Sequence, residues 1–421
     1  MWPSTAAAPS SCPADFPQLW HSFVNTLVDV LHAQGPAAPR QPQAPQRPPP
    51  HVLPAVPRLV AIGDLHGDLR KARRAFRLAG LIDEQDRWAG GTTTVVGDLL
   101  DRGDQELPLL FFLERLQGQA AAAGGALHVL NGNHETMNVA GQFRYVTHRG
   151  MHSFADWLHG HTLETALKAK CGCQAAASGL RQLLRQQQDH LHNRGPGHHQ
   201  YPPNPAAAAR ILALQPGGEV TRRFLAPNPV VLQVGSTLFV HGGVLRQHVD
   251  YGLERINRET QEWMLKGSAG EKPRFLSGRG AVVWSRHYSA AAADRCDCGQ
   301  LAEVLGRVPG AQRMVVGHTI QEGGINSACQ GRVLRIDVGL SRGCGNGSPE
   351  VLEIVNDSVV RRLSESQQEN VVPAEPPYQQ QPKPVPEQKP QGQVAAATIA
   401  STQTPELARP AAALQNRQQP A

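Results

Sequence analysis

Short apolar runs alternate with longer amphipathic stretches in the first half of the chain's core. The runs at 58–64, 92–98 and 127–133 are rich in Val, Leu, Ile or Thr, and each ends in glycine beside a polar residue. Between them, the stretches at 69–80 and 106–117 repeat leucine, alanine or phenylalanine at helical spacing. Strands that alternate with helices in this way predict βαβ units with parallel strands.

In the second half of the core the predicted strands follow one another more closely. A hairpin is predicted over 230–243, with the pair Gly235 and Ser236 as its two-residue turn, and a second hairpin over 350–363. Further strands are predicted at 281–285, 313–318 and 332–339. The pattern as a whole predicts an α/β fold of two mixed β-sheets packed face to face, with flanking helices.

Composition sets the limits of this core. Residues 36–57 contain nine prolines in 22 positions, which favours an extended linker. Before it, 16–35 has the apolar spacing of a helix, which would dock on the core or, alternatively, on a partner or membrane surface. The expected organisation is an N-terminal helix and linker at 1–57, one folded domain at 58–363 with a helical or low-complexity cap insertion at 158–210, and a disordered Gln/Pro-rich tail at 364–421.

Charge and hydropathy exclude several classes of protein. The net charge of +6 is spread along the chain without a block of basic residues, so we expect no nucleic-acid partner. No apolar run reaches the 18 or so residues that a transmembrane segment needs. No Lys or Arg precedes Arg40, which argues against a secretory signal and against a chloroplast transit peptide.

Polar residues beside glycine recur where five predicted strands end. The segments are "GDLHGD" (63–68), "GDLLDRGD" (97–104), "GNHE" (132–135), "HGG" (241–243) and "GHT" (317–319). Because the carboxyl ends of strands in an α/β sheet meet at one crevice, we expect their side chains to converge. The converging set is Asp64, His66, Asp98, Asn133, His241 and His318. So many oxygen and imidazole groups predict a site for two divalent metal ions, of which Mn, Fe or Zn would suit the ligands.

This ordered set of motifs resembles the phosphoprotein-phosphatase group of the calcineurin-like metallophosphoesterases. Further stretches, such as "MNVAGQFRYV", "VVGHTIQEGGIN" and "RIDVGLSRGCGNGSPEVLEI", resemble the Shewanella-like protein phosphatases of plants and algae, in the branch without a chloroplast transit peptide. The resemblance covers roughly residues 58–360. It implies that Asp64 and His66 hold the first metal, that Asp98 bridges both metals, and that the second is completed by Asn133, His241 and His318.

The resemblance also implies a mechanism. His134 would be the general acid that protonates the leaving group, Asp101 would orient it, and Glu135 would support the loop. A hydroxide that bridges the two metals would attack phosphorus in line, without a covalent phosphoenzyme. The substrate phosphate would be bound by Arg102, Arg286 and Asn133. Arg144 is a further candidate for this role, or equally for a salt bridge that fixes its loop.

The implied activity is hydrolysis of phosphomonoesters on protein side chains, with Ser/Thr expected and Tyr as a further candidate, so a phosphoprotein is the expected substrate and partner. Two alternatives stay open. One is a nucleotide or small-molecule phosphoesterase on the same fold, because fold does not determine substrate. The other is a non-catalytic scaffold that binds phosphoproteins, although every implied metal ligand and His134 are present.

The chain has seven cysteines, and reduced thiols are the default for a domain of this size without a secretory signal. The cysteines are Cys12, Cys171, Cys173, Cys296, Cys298, Cys329 and Cys344. Cys171 and Cys173 with nearby histidines could alternatively bind zinc, at spacings that match no standard site. Relatives in the resembling branch are associated with the oxidising mitochondrial intermembrane space. The expected location is therefore this space or the cytoplasm, with Cys296 and Cys298 as a pair for a redox partner.

Overall fold

The architecture is that of a computed structural model, which describes residues 51–95, 97–158, 205–266, 271–365 and 368–371. The predicted helix at 16–35, most of the insertion and the tail beyond 371 lie outside these residues. Among the described residues, no helix is both long and apolar enough to cross a membrane.

Strands and helices alternate in the first half and strands dominate the second. The strands are β1 (Val52–Leu53), β2 (Arg58–Ile62), β3 (Thr92–Val95), β4 (Ala126–Val129), β5 (Val231–Val234), β6 (Thr237–Val240), β7 (Arg313–Val316), β8 (Asn326–Ala328), β9 (Val333–Arg335), β10 (Glu350–Val355), β11 (Val359–Ser364) and β12 (Gln368–Asn370). The helices are α1 (Leu69–Leu78), α2 (Glu106–Ala122), α3 (Asn133–Val139), α4 (148–158), α5 (Pro205–Leu214), α6 (Arg246–Tyr251), α7 (Leu253–Leu265) and α8 (Cys298–Arg307).

The first sheet has the strand order β12-β11-β10-β2-β3-β4. Strands β2, β3 and β4 are parallel, with α1 and α2 in the connections between them, so the βαβ prediction is confirmed. The predicted hairpin of β10 and β11 lies antiparallel against β2. Strands from both ends of the domain therefore share this sheet.

The second sheet has the order β1-β5-β6-β7-β9-β8. The predicted hairpin is present as β5 and β6, and Gly235 adopts φ +55° in its turn. Strands β6, β7 and β9 run parallel, so their carboxyl ends lie at one edge of the sheet. Both predicted sheets are thus present and both are mixed.

An apolar layer fills the space between the sheets. Leu59 and Leu352 from the first sheet pack in one cluster with Phe239 and Val315 from the second, and these side chains are at most 3% exposed. A larger apolar cluster covers the outer faces, where the helices pack. The predicted α/β fold class, with two mixed sheets face to face and flanking helices, is confirmed.

One predicted strand is wrong. Residues 281–285 form tight turns, in which the amides of Trp284 and Ser285 both donate to the carbonyl of Ala281. The segment is buried because it packs against Gly242, where a Cβ atom would lie 2.7 Å from the carbonyl carbon of Val283. A short apolar run predicts burial but does not distinguish a strand from a compact turn.

The sheets extend beyond the expected limits of the domain. Strand β1 precedes residue 58 and pairs in parallel with β5. Strand β12 follows residue 363 and pairs with β11, within the part of the chain expected to be a disordered tail. A two- or three-residue edge strand has too little pattern to be recognised in a proline- or glutamine-rich sequence.

The cysteines depart from the expected reduced thiols. Cys298, the first residue of α8, forms a disulfide with Cys329, which lies 31 positions further on, after β8. Cys296 is a buried free thiol that donates to the carbonyl oxygen of Tyr288 over 3.2 Å, and Cys344 is also free. Cys296 and Cys298 therefore do not pair with each other, and the expected redox role for that pair is not supported.

Candidate active site at the strand ends

The six predicted metal-binding side chains follow five strands directly. Asp64 and His66 follow β2, Asp98 follows β3, and Asn133 begins α3 after β4. From the second sheet come His241 after β6 and His318 after β7. All six are at most 9% exposed.

Asp98 lies at the centre of this group. Its Oδ2 atom is 3.1 Å from His241 Nε2, 3.7 Å from His66 Nε2 and 3.8 Å from His134 Nε2. The backbone amide of His134 donates to the other carboxylate oxygen over 3.0 Å, which fixes the carboxylate plane. Burial would raise the pKa of Asp98, but the imidazoles of His241, His134 and His66 hold it well below its usual range. The carboxylate therefore belongs to two groups of possible metal ligands, one with His66 and His134 and a second with His241 and His318.

The second group centres on His241. Its Nε2 atom is 2.9 Å from Asn133 Oδ1 and 3.2 Å from His318 Nδ1, besides its contact with Asp98. One imidazole nitrogen carries at most one proton, so it cannot donate to three acceptors at once. The buried Nε2 atom of His318 has no hydrogen-bond partner among the described residues. The nitrogen and oxygen atoms of these four side chains are therefore spaced as the ligands of one cation would be.

Excess carboxylate charge points to the same conclusion. Burial, together with repulsion from Asp337 and Asp98, raises the pKa of Asp64 well above its usual value. Burial also raises the pKa of Asp337, which shares a hydrogen bond with Asp64. Divalent cations would relieve this repulsion, and a donor set of carboxylate, amide and imidazole suits Mn, Fe or Zn. The residues present therefore fit divalent metals.

His134 lies beside the metal-binding cluster, and one of its two ring nitrogens is held by a carboxylate. Nδ1 of His134 donates to Asp101 Oδ2 over 2.6 Å, and Asn138 Nδ2 donates to Asp101 Oδ1 over 2.9 Å. Burial would lower the pKa of His134, but the charges of Asp98 and Asp101 and the hydrogen bond to Asp101 raise it. His134 lines the same cavity as the metal-binding residues, and its Nε2 atom lies 3.8 Å from Asp98 Oδ2.

Glu135 organises the loops around these groups. Its Oε1 atom accepts from the amides of Leu99 and Leu100, and its Oε2 atom accepts from the amides of Asp98 and Gly132, all over 2.7–3.0 Å. The loops that follow β3 and β4 are therefore tied to one buried carboxylate.

Two predicted arginines reach the cavity, which has a volume of about 430 Å³. Arg102 lines it and stacks on the ring of Tyr145 at 4.8 Å. Arg286 also lines it and donates to the carbonyl of His318 and the hydroxyl of Thr319. Arg144 stacks on Tyr145 at 5.0 Å, and no salt bridge, its alternative role, joins it to another described residue.

The backbone at the site is unusual. Five of the predicted residues have a positive φ, between 41° and 67°, a region that is unfavourable for side chains with a Cβ atom. They are His66, Asp98, Asp101, Arg102 and His318. Such conformations persist where the surrounding structure imposes them, and they concentrate at functional sites.

Several residues at the site were not predicted. Asp337 follows β9 beside a glycine-containing turn, and so it carried the same strand-end signal as Asp64. Tyr145 and Trp284 line the cavity, and their loops carried no pattern that distinguishes a site wall from core. Arg210, which contacts Asp101, comes from the alanine-rich end of the insertion, where a single basic residue gave no signal.

Several known proteins are similar to this chain in sequence. A model of the calcineurin-like phosphoesterase family matches residues 57–322. Shewanella-like protein phosphatase 2 of Arabidopsis thaliana is 44% identical over 368 residues, which is 85% of this chain and 90% of that protein. Shewanella-like protein phosphatase 1 of Plasmodium berghei is 27% identical over 304 residues, or 69% of each chain.

A solved structure supports the fold. The cold-active protein-tyrosine phosphatase of a psychrophilic Shewanella species superposes with a TM-score of 0.52 at 22% identity, covering 76% of this chain and 82% of that one. The matched family model, the 44% identity and the grouped metal-ligand side chains lead to one assignment. The chain belongs to the calcineurin-like phosphoesterase family and is a metal-dependent phosphatase of the Shewanella-like group.

Proposed function

We propose that this phosphatase hydrolyses phosphomonoesters on protein side chains, with His134 as the general acid. The observation that carries the proposal is the 2.6 Å hydrogen bond from His134 Nδ1 to Asp101, beside the metal-binding cluster. It leaves Nε2 of His134 facing the cavity, where it can deliver a proton to the oxygen of the leaving side chain.

Metal binding would use two overlapping sets of residues. Asp64 and His66 would hold the first ion, Asp98 would bridge, and the second ion would be held by Asn133, His241 and His318. Divalent cations, when bound, supply Lewis acidity and lower the pKa of a water that becomes the nucleophile. The N/O donors favour Mn, with Fe or Zn as alternatives.

The chain's own residues would bind the phosphate and orient it. Arg102 and Arg286 both line the cavity, so their guanidinium groups can each hold equatorial phosphate oxygens. The amide of Asn133 lies in the same cavity and can donate to a third. Arg102 is held for this role because its backbone amide donates to the carbonyl of Tyr145 and its guanidinium stacks on that ring.

The walls of the cavity bear on the substrate class. The Tyr145 ring lies 5.0 Å from the ring of His134, and the Trp284 ring lies 5.6 Å from that of His318. An aromatic leaving group can pack against such rings, and a smaller alkyl group fits in the same space. We therefore extend the proposal to phosphotyrosine as well as phosphoserine and phosphothreonine.

The test is phosphatase activity of the full chain after chelation and re-addition of Mn, Fe or Zn. Substrates would be three peptides that differ only in their phosphorylated residue, together with a dinucleoside polyphosphate. His134→Asn and Asp98→Asn are compared with the wild type.

The proposal predicts that metal restores turnover of the peptides, that His134→Asn loses about 10²–10⁴-fold in kcat, the usual contribution of general acid catalysis, and that Asp98→Asn loses activity because it binds metal poorly. His134→Asn should retain its bound metal. Turnover of the dinucleotide in preference to every peptide would contradict the assignment of protein substrates.

A further inference from the structure

Arg210 on α5 is a large side chain that is completely buried, at 0% exposure. Its guanidinium binds Glu106 in a bidentate manner, with Nη1 and Nη2 each donating over 2.7 Å. Nε and Nη2 donate to Asn138 Oδ1 over 2.9 and 2.7 Å, and Nη2 also lies 3.2 Å from Asp101 Oδ1, with which it forms an ion pair. Burying an arginine and two carboxylates is costly, so an arrangement of this kind needs an explanation.

The contacts of Asp101 supply one. Its Oδ2 atom accepts the bond from His134, and its Oδ1 atom accepts from Asn138 and Arg210. Its backbone amide donates to Glu106 Oε1 over 2.6 Å, the same oxygen that Arg210 holds. Arg210 therefore contacts Asp101 in two ways. It binds the carboxylate directly, and through Glu106 it supports the backbone amide, at a residue with the unfavourable φ of +67°.

The guanidinium is itself fixed by aromatic rings. It lies 4.5 Å from the ring centre of Phe154 in α4 and 5.6 Å from that of Phe143. Arg210 also donates to the carbonyl of Gly150 over 3.4 Å, in the first turn of α4. Hydrogen bonds along its edges and aromatic rings beside it thus hold the guanidinium in place.

We propose that Arg210 is a positioning residue for the general acid. It holds Asp101 so that Asp101 can hold the ring of His134, and it neutralises a carboxylate pair that would otherwise repel. The inference rests on the proposed role of His134 and extends it to the helix at the end of the insertion. It assigns to α5 a part in the chemistry, although none of the described residues that line the cavity belongs to α5.

This role has a consequence that a purely structural role lacks. Protonation of the leaving group matters greatly for phenyl phosphate or a phosphoserine peptide, and hardly at all for 2,4-dinitrophenyl phosphate, whose phenolate is stable without a proton. Loss of Arg210 should therefore slow the first two substrates and spare the third. A general disturbance of the metal-binding residues would slow all three.

The experiment measures kcat and KM of the metal-loaded full chain on these substrates for three variants. Arg210→Lys keeps the charge but not the bidentate geometry, and Arg210→Met removes both. Arg210→Met combined with Glu106→Gln also removes the unpaired buried carboxylate, so it should fold if Arg210→Met alone does not. Arg223→Met is the matched control, because Arg223 also binds a glutamate, Glu114, in a bidentate manner and stacks on two aromatic rings.

We expect kcat on phenyl phosphate to fall about 10²-fold in the Met variants and less in the Lys variant, within the range of general acid catalysis. The fall on 2,4-dinitrophenyl phosphate should be less than about fivefold, KM should be unchanged, and Arg223→Met should match the wild type. In a His134→Asn background, Arg210→Lys should have no further effect, since both act through one group.

Equal losses on all three substrates, or no loss on any, would overturn the positioning role. Failure of the proposed function is distinguishable from this, because His134→Asn would then keep its turnover of phenyl phosphate, or the wild type would not turn over the phosphoserine peptide.

Discussion

Glu135 accepts four backbone hydrogen bonds with two carboxylate oxygens, although it does not line the cavity. The four amides belong to the loops that carry Asp98 and Asn133. Each carboxylate oxygen accepts two of these hydrogen bonds, so one side chain holds the two loops together.

We expect Glu135→Gln to destabilise the fold by about 2–4 kcal/mol. The new NH₂ group would face two backbone N–H donors and could not accept a hydrogen bond from either. Urea denaturation measures this loss. Glu114→Gln is the control, since Glu114 pairs with Arg223 near the surface and its loss should cost less than about 1 kcal/mol. A loss as small for Glu135→Gln would contradict the assigned role.

His248 predicts a dependence of stability on pH. It is 1% exposed, its Nδ1 atom accepts from the amide of Leu245, and burial lowers its pKa to about 4. The folded state thus disfavours the protonated form. Its contribution is complete above the unfolded pKa of about 6.5 and is lost as the pH falls toward 4.

Between pH 7 and pH 5 this group should account for a loss of about 2 kcal/mol in the free energy of unfolding. His248→Asn, which can still accept the Leu245 amide, should lose correspondingly less over the same interval. Urea titrations of both proteins at the two pH values, with saturating metal, measure the difference. Identical losses would show that His248 is not the responsible group.

At the residue scale, the sequence could predict the side chains at strand ends and not those that approach from elsewhere. Asp64, Asp98 and His241 each stand beside a glycine at the end of an apolar run, and such ends converge. Arg210 reaches Asp101 from a helix that is distant in the sequence, and nothing about a single arginine among alanines distinguishes it from a surface residue.

The loops that follow β3 and β4 approach each other closely beside Asp98. Gly97 after β3 has φ +91°, and a Cβ atom there would lie 2.8 Å from the amide nitrogen of Gly132. At Gly132, before α3, a Cβ atom would lie 2.2 Å from Asp98 Oδ1. The close approach of these loops therefore requires glycine on both sides.

Gly132→Ala should displace the Asp98 carboxylate and weaken metal binding about 10–100-fold, as changes next to metal ligands generally do. Calorimetric titration of the metal-free protein with Mn²⁺ measures this. Gly118→Ala in α2 is the control, because no atom of the described residues outside its own helix lies within 4 Å of the added methyl group. It should leave metal affinity unchanged and stabilise the helix by about 0.5–1 kcal/mol. Unchanged affinity in Gly132→Ala would contradict the prediction.

At the element scale, alternation and turn chemistry predicted most strands, including both hairpins. The exceptions have physical reasons. The run at 281–285 is buried by its neighbours without pairing in a sheet, and the unpredicted strands β1, β8 and β12 have only two or three residues, too few to show a period. The disulfide between Cys298 and Cys329 was also unpredicted, because cysteine spacing alone does not determine connectivity.

In the whole molecule, the candidate metal ligands come from both sheets. Asp64, Asp98 and Asn133 follow strands of the first sheet, whereas His241 and His318 follow strands of the second. Bound metal would therefore join the two sheets at one edge. The apolar layer joins them elsewhere and does not depend on metal.

Removing metal with a chelator should lower the melting temperature without unfolding the protein. A ligand at 100 times its Kd stabilises by about 2.7 kcal/mol, which for a domain of about 300 residues is roughly 4 °C. Differential scanning calorimetry before and after chelation, and after Mn²⁺ re-addition, measures the shift. Asp98→Asn should show a much smaller shift, and an equal one would place the stabilising metal elsewhere.

The order of the strands also determines what a broken chain could do. Strands β10 to β12 come from the end of the domain, yet β10 lies directly against β2 from its beginning. A cut at any bond between 158 and 205 would leave two fragments whose strands share the first sheet. We expect the fragments to stay together as a noncovalent complex through size-exclusion chromatography, and to separate only on denaturation. Each fragment would carry some of the candidate metal ligands, so neither alone should hydrolyse phosphate esters, and activity should require the two together.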